Sequence, residues 1–138
     1  MIPNNDAKEA LITEARSIGS LVTGTLPDGI QGIREYGWKG TVFNYPNIRL
    51  ELEPQIPTTN DSMCSPSYLE WSWYVFSETQ SSLEADQIAG ILVNHFRAIS
   101  FTRNNIKFTR VNITENIPAI SQDERTWRAQ IRCRSIVN

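Results

Sequence analysis

The chain has 138 residues, 40% of them hydrophobic, a formal net charge of −2 and a pI near 5.4. A chain of about this size buries roughly 68–70% of its unfolded surface, so we expect a single domain over residues 1–138 that folds without metal or disulfide support. Nucleic-acid-binding domains usually have a pI above about 9, so this acidic balance argues against a protein dedicated to that function.

The two parts of the chain differ in charge. Residues 1–96 carry 5 basic and 12 acidic side chains, whereas residues 97–138 carry 8 basic and 3 acidic ones. Two interpretations stay open at this point. Unlike faces of neighbouring copies could attract each other, or the two parts could simply mix on one folded surface.

The cysteines and the N-terminus bear on where the protein works. Cys64 and Cys133 match neither a disulfide framework nor a metal cluster, so we expect a reducing, intracellular environment. Residues 1–10 lack a basic segment followed by an apolar run, and no stretch reaches the roughly 18 apolar residues that span a bilayer. We therefore expect a soluble protein that no signal peptide exports.

The first predicted element is a helix. Asn4, Asn5 or Asp6 can cap its start, and Gly24 is placed to end it. One face repeats apolar residues at helical spacing, namely Leu11, Ala15, Ile18 and Val22. Residues 30–40, IQGIREYGWKG, are compatible with either a short strand or an irregular segment.

Two strands follow, separated by a polar arm. In YPNIRLELEP, residues 45–54, apolar and charged side chains alternate, which predicts a strand with one dry face and one wet face. Residues 54–67 are polar and proline-rich, and they predict a loop or an extended arm that is either disordered or becomes ordered on contact with a partner. The next stretch, YLEWSWYVFSE, residues 68–78, is apolar on both faces and predicts a central strand.

A second helix and two more strands complete the chain. Ser81 and Glu84 match a capping box, and an apolar stripe behind them predicts the helix, with Ala85, Ile88, Leu92, Phe96 and Ile99. The alternation of Ile106 and Phe108 predicts a strand with a bulge near Arg110. The last strand has core-facing residues Trp127, Ala129, Ile131 and Cys133, and outward-facing residues Arg128, Gln130, Arg132 and Arg134.

This order of elements predicts an α+β fold with a mainly antiparallel sheet of about four or five strands and two helices packed on one face. The other face of the sheet mixes charged residues with the aromatic side chains of Tyr74 and Phe76. Aromatic residues are an unusual choice for a face left to solvent, so they are a first sign of function there.

Signals for catalysis are weak. One histidine and two distant cysteines match no common zinc pattern, and the sequence holds no glycine-rich phosphate-binding motif. We interpret Glu51 with Glu53, and Asp123 with Glu124, as ordinary solvated carboxylates, and His95 as a structural or surface histidine. We therefore expect neither an enzyme nor a protein that binds a metal or cofactor.

Over roughly residues 5–137 the chain resembles the tail terminator, or tail-completion, proteins of long-tailed bacteriophages. The resemblance rests on element order: an N-terminal helix, the strand YPNIRLELEP, a polar arm, the strand YLEWSWYVFSE running into the helix SSLEADQIAGILVNHF, and the strand TWRAQIRCRS. The patterned residues that carry it are Pro46, Trp73, Val75, Phe76, Leu92 and Trp127. Residues 24–45 match no part of the family pattern.

What this resemblance implies is a structural role in a virion. Tail terminators form a hexameric ring that caps the tail tube, stops its polymerisation and joins the tail to the head or neck connector. The implied partners are further copies of the chain in a homohexamer, the tail tube protein, the sheath protein of a contractile tail and the head–tail connector protein. DNA would pass through the ring without specific binding, no membrane would be involved, and a subunit assembled in the host cytoplasm would end in the tail or neck.

A ring joins unlike flanks of neighbouring subunits, and the residues expected at subunit or tube interfaces come from the polar arm and the outward strand positions. They are Glu51, Glu53, Ile56, Met63, Glu70, Tyr74, Phe76, Arg128, Arg132 and Arg134. We favour pairing of the arginines with these glutamates, in the same or a neighbouring sheet, over DNA contact, because a conduit that grips DNA would hinder its passage. A plain solvated strand face is the simpler interpretation.

Other functions stay open as alternatives. The chain could be another neck or head–tail joining protein, or a nucleic-acid-binding α+β domain that uses the basic C-terminal sheet face. It could also be a small hydrolase or ligand-binding domain with a cleft between residues 54–67 and the second helix.

Overall fold

The computed structural model describes residues 2–40, 44–55 and 67–138. The helices are α1 (Asn4–Arg16), α2 (Gly19–Val22) and α3 (Leu83–Phe96), and a 3₁₀ turn covers Gly29–Gly32. The strands are β1 (Ile33–Glu35), β2 (Asn47–Leu52), β3 (Ser67–Ser77), β4 (Phe101–Arg103), β5 (Ile106–Ser121) and β6 (Trp127–Val137).

The strands form one six-stranded sheet in the order β1-β2-β3-β6-β5-β4. Every neighbouring pair is antiparallel except β1 and β2, which are parallel. The predicted α+β class and the mainly antiparallel sheet are confirmed. The sheet is larger than the predicted four or five strands, because two three-residue strands extend its edges and neither is long enough to show a periodic pattern.

The sheet curls around the helices, because α1 contacts both of its outermost strands. At one end the guanidinium of Arg16 donates to the carbonyl oxygen of Ile33 in β1 at 2.8 Å. At the other end Arg103 in β4 pairs with Glu14 of the same helix at 3.4 Å. Helix α1 therefore bridges the two edges of the sheet, and one face of the sheet encloses the core.

The core lies between this face and the helices. Strand β3 is third of six in the sheet, as its two apolar faces predicted, and its helix-facing side chains Leu69, Trp71, Trp73 and Val75 are fully buried. The predicted stripe of α3 is buried from Ala85 to Phe96, whereas Ile99 lies beyond the helix end and is half-buried. In β6 the predicted core residues Ala129, Ile131 and Cys133 are buried, and Trp127 at the strand start is only partly so.

The helix boundaries differ from the predicted ones. The first helix ends at Arg16, and the second apolar turn belongs to the separate helix α2, whose buried residue is Leu21 instead of Val22. Ser17 separates them, since its hydroxyl donates to the backbone oxygen of Glu14 at 2.6 Å and competes with the helical pattern. The predicted Asn or Asp cap is wrong, because Pro3 precedes the helix and no side chain caps it.

The predicted capping box of the second helix is also wrong. Helix α3 begins at Leu83, one residue later than a cap at Ser81 requires, and the Ser81 hydroxyl accepts a hydrogen bond from the Leu83 backbone N–H at 3.4 Å instead of from that of Glu84. The carboxylate of Glu84 instead accepts a hydrogen bond from the hydroxyl of Ser77 at 2.7 Å. This contact joins the end of β3 to the first turn of α3, so Glu84 links a strand to the helix instead of capping the start of the helix.

The strand connections explain the shape of the C-terminal part. Asn104 and Asn105 have φ values of 53° and 61°, which makes the link between β4 and β5 a two-residue turn of the type that suits a hairpin. The predicted bulge is confirmed, since Arg110 has φ of 46° and the register of β5 shifts between Thr109 and Asn112. Two further shifts follow, and β5 continues to Ser121 as a long hairpin with β6.

Candidate interaction surface

The candidate site is the outer face, defined as the sheet face turned away from the helices. Cross-strand register places Glu70 opposite Arg134 and Phe76 opposite Arg128, while Tyr74 lies opposite Arg49 on its other side. The outer face therefore brings together most of the residues expected at an interface, namely Glu51, Glu70, Tyr74, Phe76, Arg128, Arg132 and Arg134. Two expected residues of the polar arm, Ile56 and Met63, lie outside the described residues.

Part of the outer face is covered, contrary to the expected wet surface. Arg49 is 5% exposed, Tyr74 9% and Phe76 8%. The cover is the segment after β1, where Tyr36 donates its backbone N–H to Leu50 at 2.7 Å and lays its ring 5.2 Å from that of Tyr74. The predicted wet face of residues 45–54 is therefore wrong at Arg49, because this segment from another part of the sequence folds over it.

Arg49 is held from two sides. Its guanidinium donates to the carbonyl oxygen of Gly32 at 3.1 Å and lies 5.7 Å from the ring of Trp38. Arg34 stacks on the same ring at 4.0 Å. Burial, and secondarily the charge of Arg34, lower the pKa of Arg49. The outer face next to β1 is thus a packed cluster of arginine and aromatic side chains.

Tyr74 connects this cluster to the charged part of the outer face. Its hydroxyl donates to the carboxylate of Glu51 at 3.2 Å. Burial, with the negative charge of Glu51 as the second cause, raises the pKa of Tyr74, so the phenol stays protonated and remains a donor. Glu51, predicted to pair with an arginine, is engaged by a tyrosine instead.

Replacing Tyr36 by alanine tests this cover. We expect Tyr36→Ala to lower the free energy of unfolding by about 1–2 kcal/mol, because it removes the aromatic contacts that shield Tyr74 and Phe76. The matched control is Tyr68→Ala on the same face, where the residue is 55% exposed and its ring lies 4.1 Å from the guanidinium of Arg134. Equal losses for the two variants in urea unfolding would contradict the assignment of Tyr36 as a cover.

Two outward-facing arginines of β6, Arg132 and Arg134, have partners inside the chain. Arg134 pairs with Glu70 at 3.6 Å, as predicted, and stacks on Tyr68 at 4.1 Å. Arg132 pairs with Glu115 at 3.2 Å, a partner that the sequence did not suggest because β5 was not expected to run so far. Exposed pairs of this kind contribute about 0–1 kcal/mol each, so they fix side-chain positions more than they stabilise the fold.

The two remaining outer-face residues behave differently. Arg128 lies 5.4 Å above the ring of Tyr74. Glu53 is bound through its backbone N–H, which donates to the carbonyl oxygen of Glu70 at 3.0 Å, and no ion pair of its carboxylate occurs among the described residues. The predicted ion pairs of arginines with Glu51 or Glu53 therefore do not occur among the described residues of one chain.

A second polar cluster lies on the helix side. Glu14 is only 6% exposed, and its carboxylate contacts His95 at 3.3 Å and Arg103 at 3.4 Å. These three residues join α1, α3 and β4, so His95 has a structural contact.

Within residues 2–40, 44–55 and 67–138, no group of three or more His, Cys, Asp or Glu side chains could hold a metal ion. None of the described helices is long and apolar enough to cross a bilayer.

Comparison with known proteins shows that solved structures of other chains share this fold. No family model and no curated protein matches the sequence. A chain from the virion of a native gene transfer agent particle is similar with a TM-score of 0.67 and 11% identity, over 94% of this chain and 92% of that one. A second solved structure has a TM-score of 0.70 and 14% identity, over 100% of this chain and 97% of that one. At these identities the likeness shows a shared fold.

Proposed function

We propose that the chain is a structural subunit of a phage-like particle, and specifically a tail terminator that forms a ring on the end of the tail tube. The observation that carries the proposal is the fold similarity to a chain of a gene transfer agent virion, which extends over 94% of this chain and 92% of the other. That fold similarity agrees with the element order on which the sequence resemblance rests. The role is architectural, and the proposal assigns no catalysis to the chain.

The charge arrangement of the outer face supports a conduit more than a nucleic-acid-binding surface. Arg132 and Arg134 each contact a carboxylate of the same chain, so their charges are balanced before any partner arrives. A face whose cations are already paired attracts phosphates weakly. In the proposed ring, DNA passes without a specific contact, and the proposed protein partners are the tail tube, a sheath where the tail is contractile and the head–tail connector.

Light scattering on the purified protein over a range of concentrations, at two salt concentrations, tests the proposal. We expect concentration-dependent association that ends at a mass near six times the 15.7 kDa of one chain. A strict monomer that also retains DNA in a salt-sensitive manner would contradict the ring and favour the nucleic-acid-binding alternative.

A further inference from the structure

A surface pocket of about 390 Å³ lies where the end of α3 meets β5. We call it the notch, and it is lined by Arg97, Ala98, Arg110, Val111, Asn112 and Ile113. Its size is within the range of roughly 300–1,000 Å³ that suits a bound ligand or an inserted side chain. The notch lies outside the outer face, at the edge of the sheet.

Two unpaired positive charges line the notch. Arg97 and Arg110 are both exposed, and in the described part of the chain neither forms an ion pair. By contrast Arg103, Arg132 and Arg134 all contact carboxylates. The position of Arg97 after the C-terminus of α3 has a local reason, since a cation there complements the helix dipole. That reason does not extend to Arg110.

The backbone at the notch is held in an unusual conformation. Ala98 and Arg110 have φ values of 61° and 46°, in the left-handed region that glycine adopts most easily. The bulge at Arg110 is fixed by its backbone N–H, which donates to the hydroxyl of Ser100 at 2.9 Å. The bulge sets the direction in which the side chain of Arg110 leaves the strand, beside the notch.

The edge of the sheet opens at the same place. Backbone hydrogen bonds between Ala98 and Val111, at 2.9 Å, and between Val111 and Ile99, at 2.8 Å, close the edge of β5 up to the notch. From Asn112 onward no described strand pairs with that edge. The notch is therefore the point at which strand pairing along this edge stops, and beyond it the backbone N–H of Ala119 donates to the carboxylate of Asp86 at 2.8 Å.

Three exposed carboxylates and one exposed arginine lie at the far end of the same hairpin. We call this end the tip, formed by Glu78, Asp123 and Glu124 with Arg125 beside them, and no ion pair of these side chains occurs in the described part of the chain. The indole N–H of Trp127 donates to the carbonyl oxygen of Thr79 at 3.1 Å and holds the turn after β3 against the hairpin. Backbone N–H groups of Arg125 and then Thr126 lower the pKa of Asp123, so the carboxylate stays ionised.

The notch and the tip are too far apart to meet within one copy. About ten residues of β5 separate Asn112 from the turn, which at roughly 3.3 Å per residue is a distance of about 30 Å. A basic pocket and an acidic projection at opposite ends of one molecule are the unlike flanks that a head-to-tail ring requires.

We propose that the tip of one copy seats in the notch of the next, with the carboxylate of Glu124 directed at Arg97 and Arg110. The proposal rests on the ring-forming function and names the contact that would close the ring. The occupant is a second copy because the charges are complementary, neither surface has an ion-pair partner among the described residues, and no described strand pairs with the edge of β5 between them. Charge pairs of this kind set register and partner choice.

A charge-swap experiment tests the contact. Arg110→Glu and Glu124→Arg each place like charges together, so each variant alone is expected to associate about tenfold more weakly or worse than the natural chain. An equimolar mixture of the two restores association, because every notch then finds a tip of opposite charge when the variants alternate around the ring. Lys39→Glu, the same charge reversal on the exposed Lys39 away from notch and tip, is the matched control and is expected to associate normally.

The outcomes separate this inference from the function on which it rests. Association of the natural chain that neither single variant weakens, or that the mixture fails to restore, overturns the tip-to-notch contact and leaves the ring in place. A natural chain that never associates overturns both. DNA retention that Arg110→Glu abolishes while association is unchanged would assign the notch to phosphate instead.

A further variant distinguishes a binding role of Arg110 from a structural one. Arg110→Gly relieves the left-handed backbone, so we expect a higher melting temperature together with weakened association. A variant that is destabilised and associates normally would show that the arginine side chain serves the fold, and would overturn the proposal.

Discussion

Trp73→Ala is expected to lower the free energy of unfolding by about 3–5 kcal/mol, the range for deleting a large aromatic side chain from a packed core. Trp73 is fully buried in β3, and its ring lies 5.5 Å from that of Phe96 at the end of α3. The contact joins the central strand to the helix that lies against it, so the alanine variant leaves a cavity between the two elements. Urea unfolding followed by circular dichroism measures the loss.

Trp73→Phe is the matched control. The indole N–H of Trp73 is buried and has no hydrogen-bond partner among the described residues, so phenylalanine removes a polar group without breaking a hydrogen bond. We expect Trp73→Phe to lower the free energy of unfolding by less than about half of the loss expected for Trp73→Ala. Similar losses for the two substitutions would show that the N–H group has a partner and that packing is not the main contribution.

Glu14→Gln is the second large effect, with an expected loss of about 1–3 kcal/mol. The glutamine keeps the shape of the side chain but removes the charge that faces His95 and Arg103. Because the carboxylate is largely buried, water cannot fully take its place as the partner of His95 and Arg103. Glu9→Gln, an exposed position on the same helix, is the control and should change stability by less than about 0.5 kcal/mol. Equal effects at both positions would contradict a structural role for the Glu14 cluster.

Elements with a long regular pattern were predicted well from the sequence. Strand β3 and helix α3 have apolar residues at constant spacing over three or more turns or pleats, so periodicity alone identifies the buried side. Periodicity extends the first helix too far, because Ile18 continues its spacing. The interruption comes from the hydrogen bond of the Ser17 hydroxyl, which periodicity does not reveal.

The sequence predicts which side chains lie on the outer face, but it does not predict that some of them are buried there. Alternation along β2 and β3 placed Arg49 and Tyr74 on the correct side of the sheet. Their burial depends on Tyr36, which lies in a segment of eleven residues that has no repeating pattern. A contact between such a segment and a distant strand is a tertiary event, so no local signal predicts it.

The sequence pattern does not locate the notch, for a related reason. The bulge near Arg110 was predicted, and it was the one local sign that the strand changes direction there. The approach of Arg97 depends on how α3 ends against β5, which the sequence does not specify. The overall charge difference between residues 1–96 and 97–138 indicated unlike flanks without locating them.

Electron microscopy of the associated protein tests the proposed ring most directly, because it shows whether the copies close. We expect class averages of a closed ring with a central channel and a single number of subunits, six. Open chains, compact clusters or isolated monomers at every concentration would contradict the assignment of this chain as a ring-forming structural subunit.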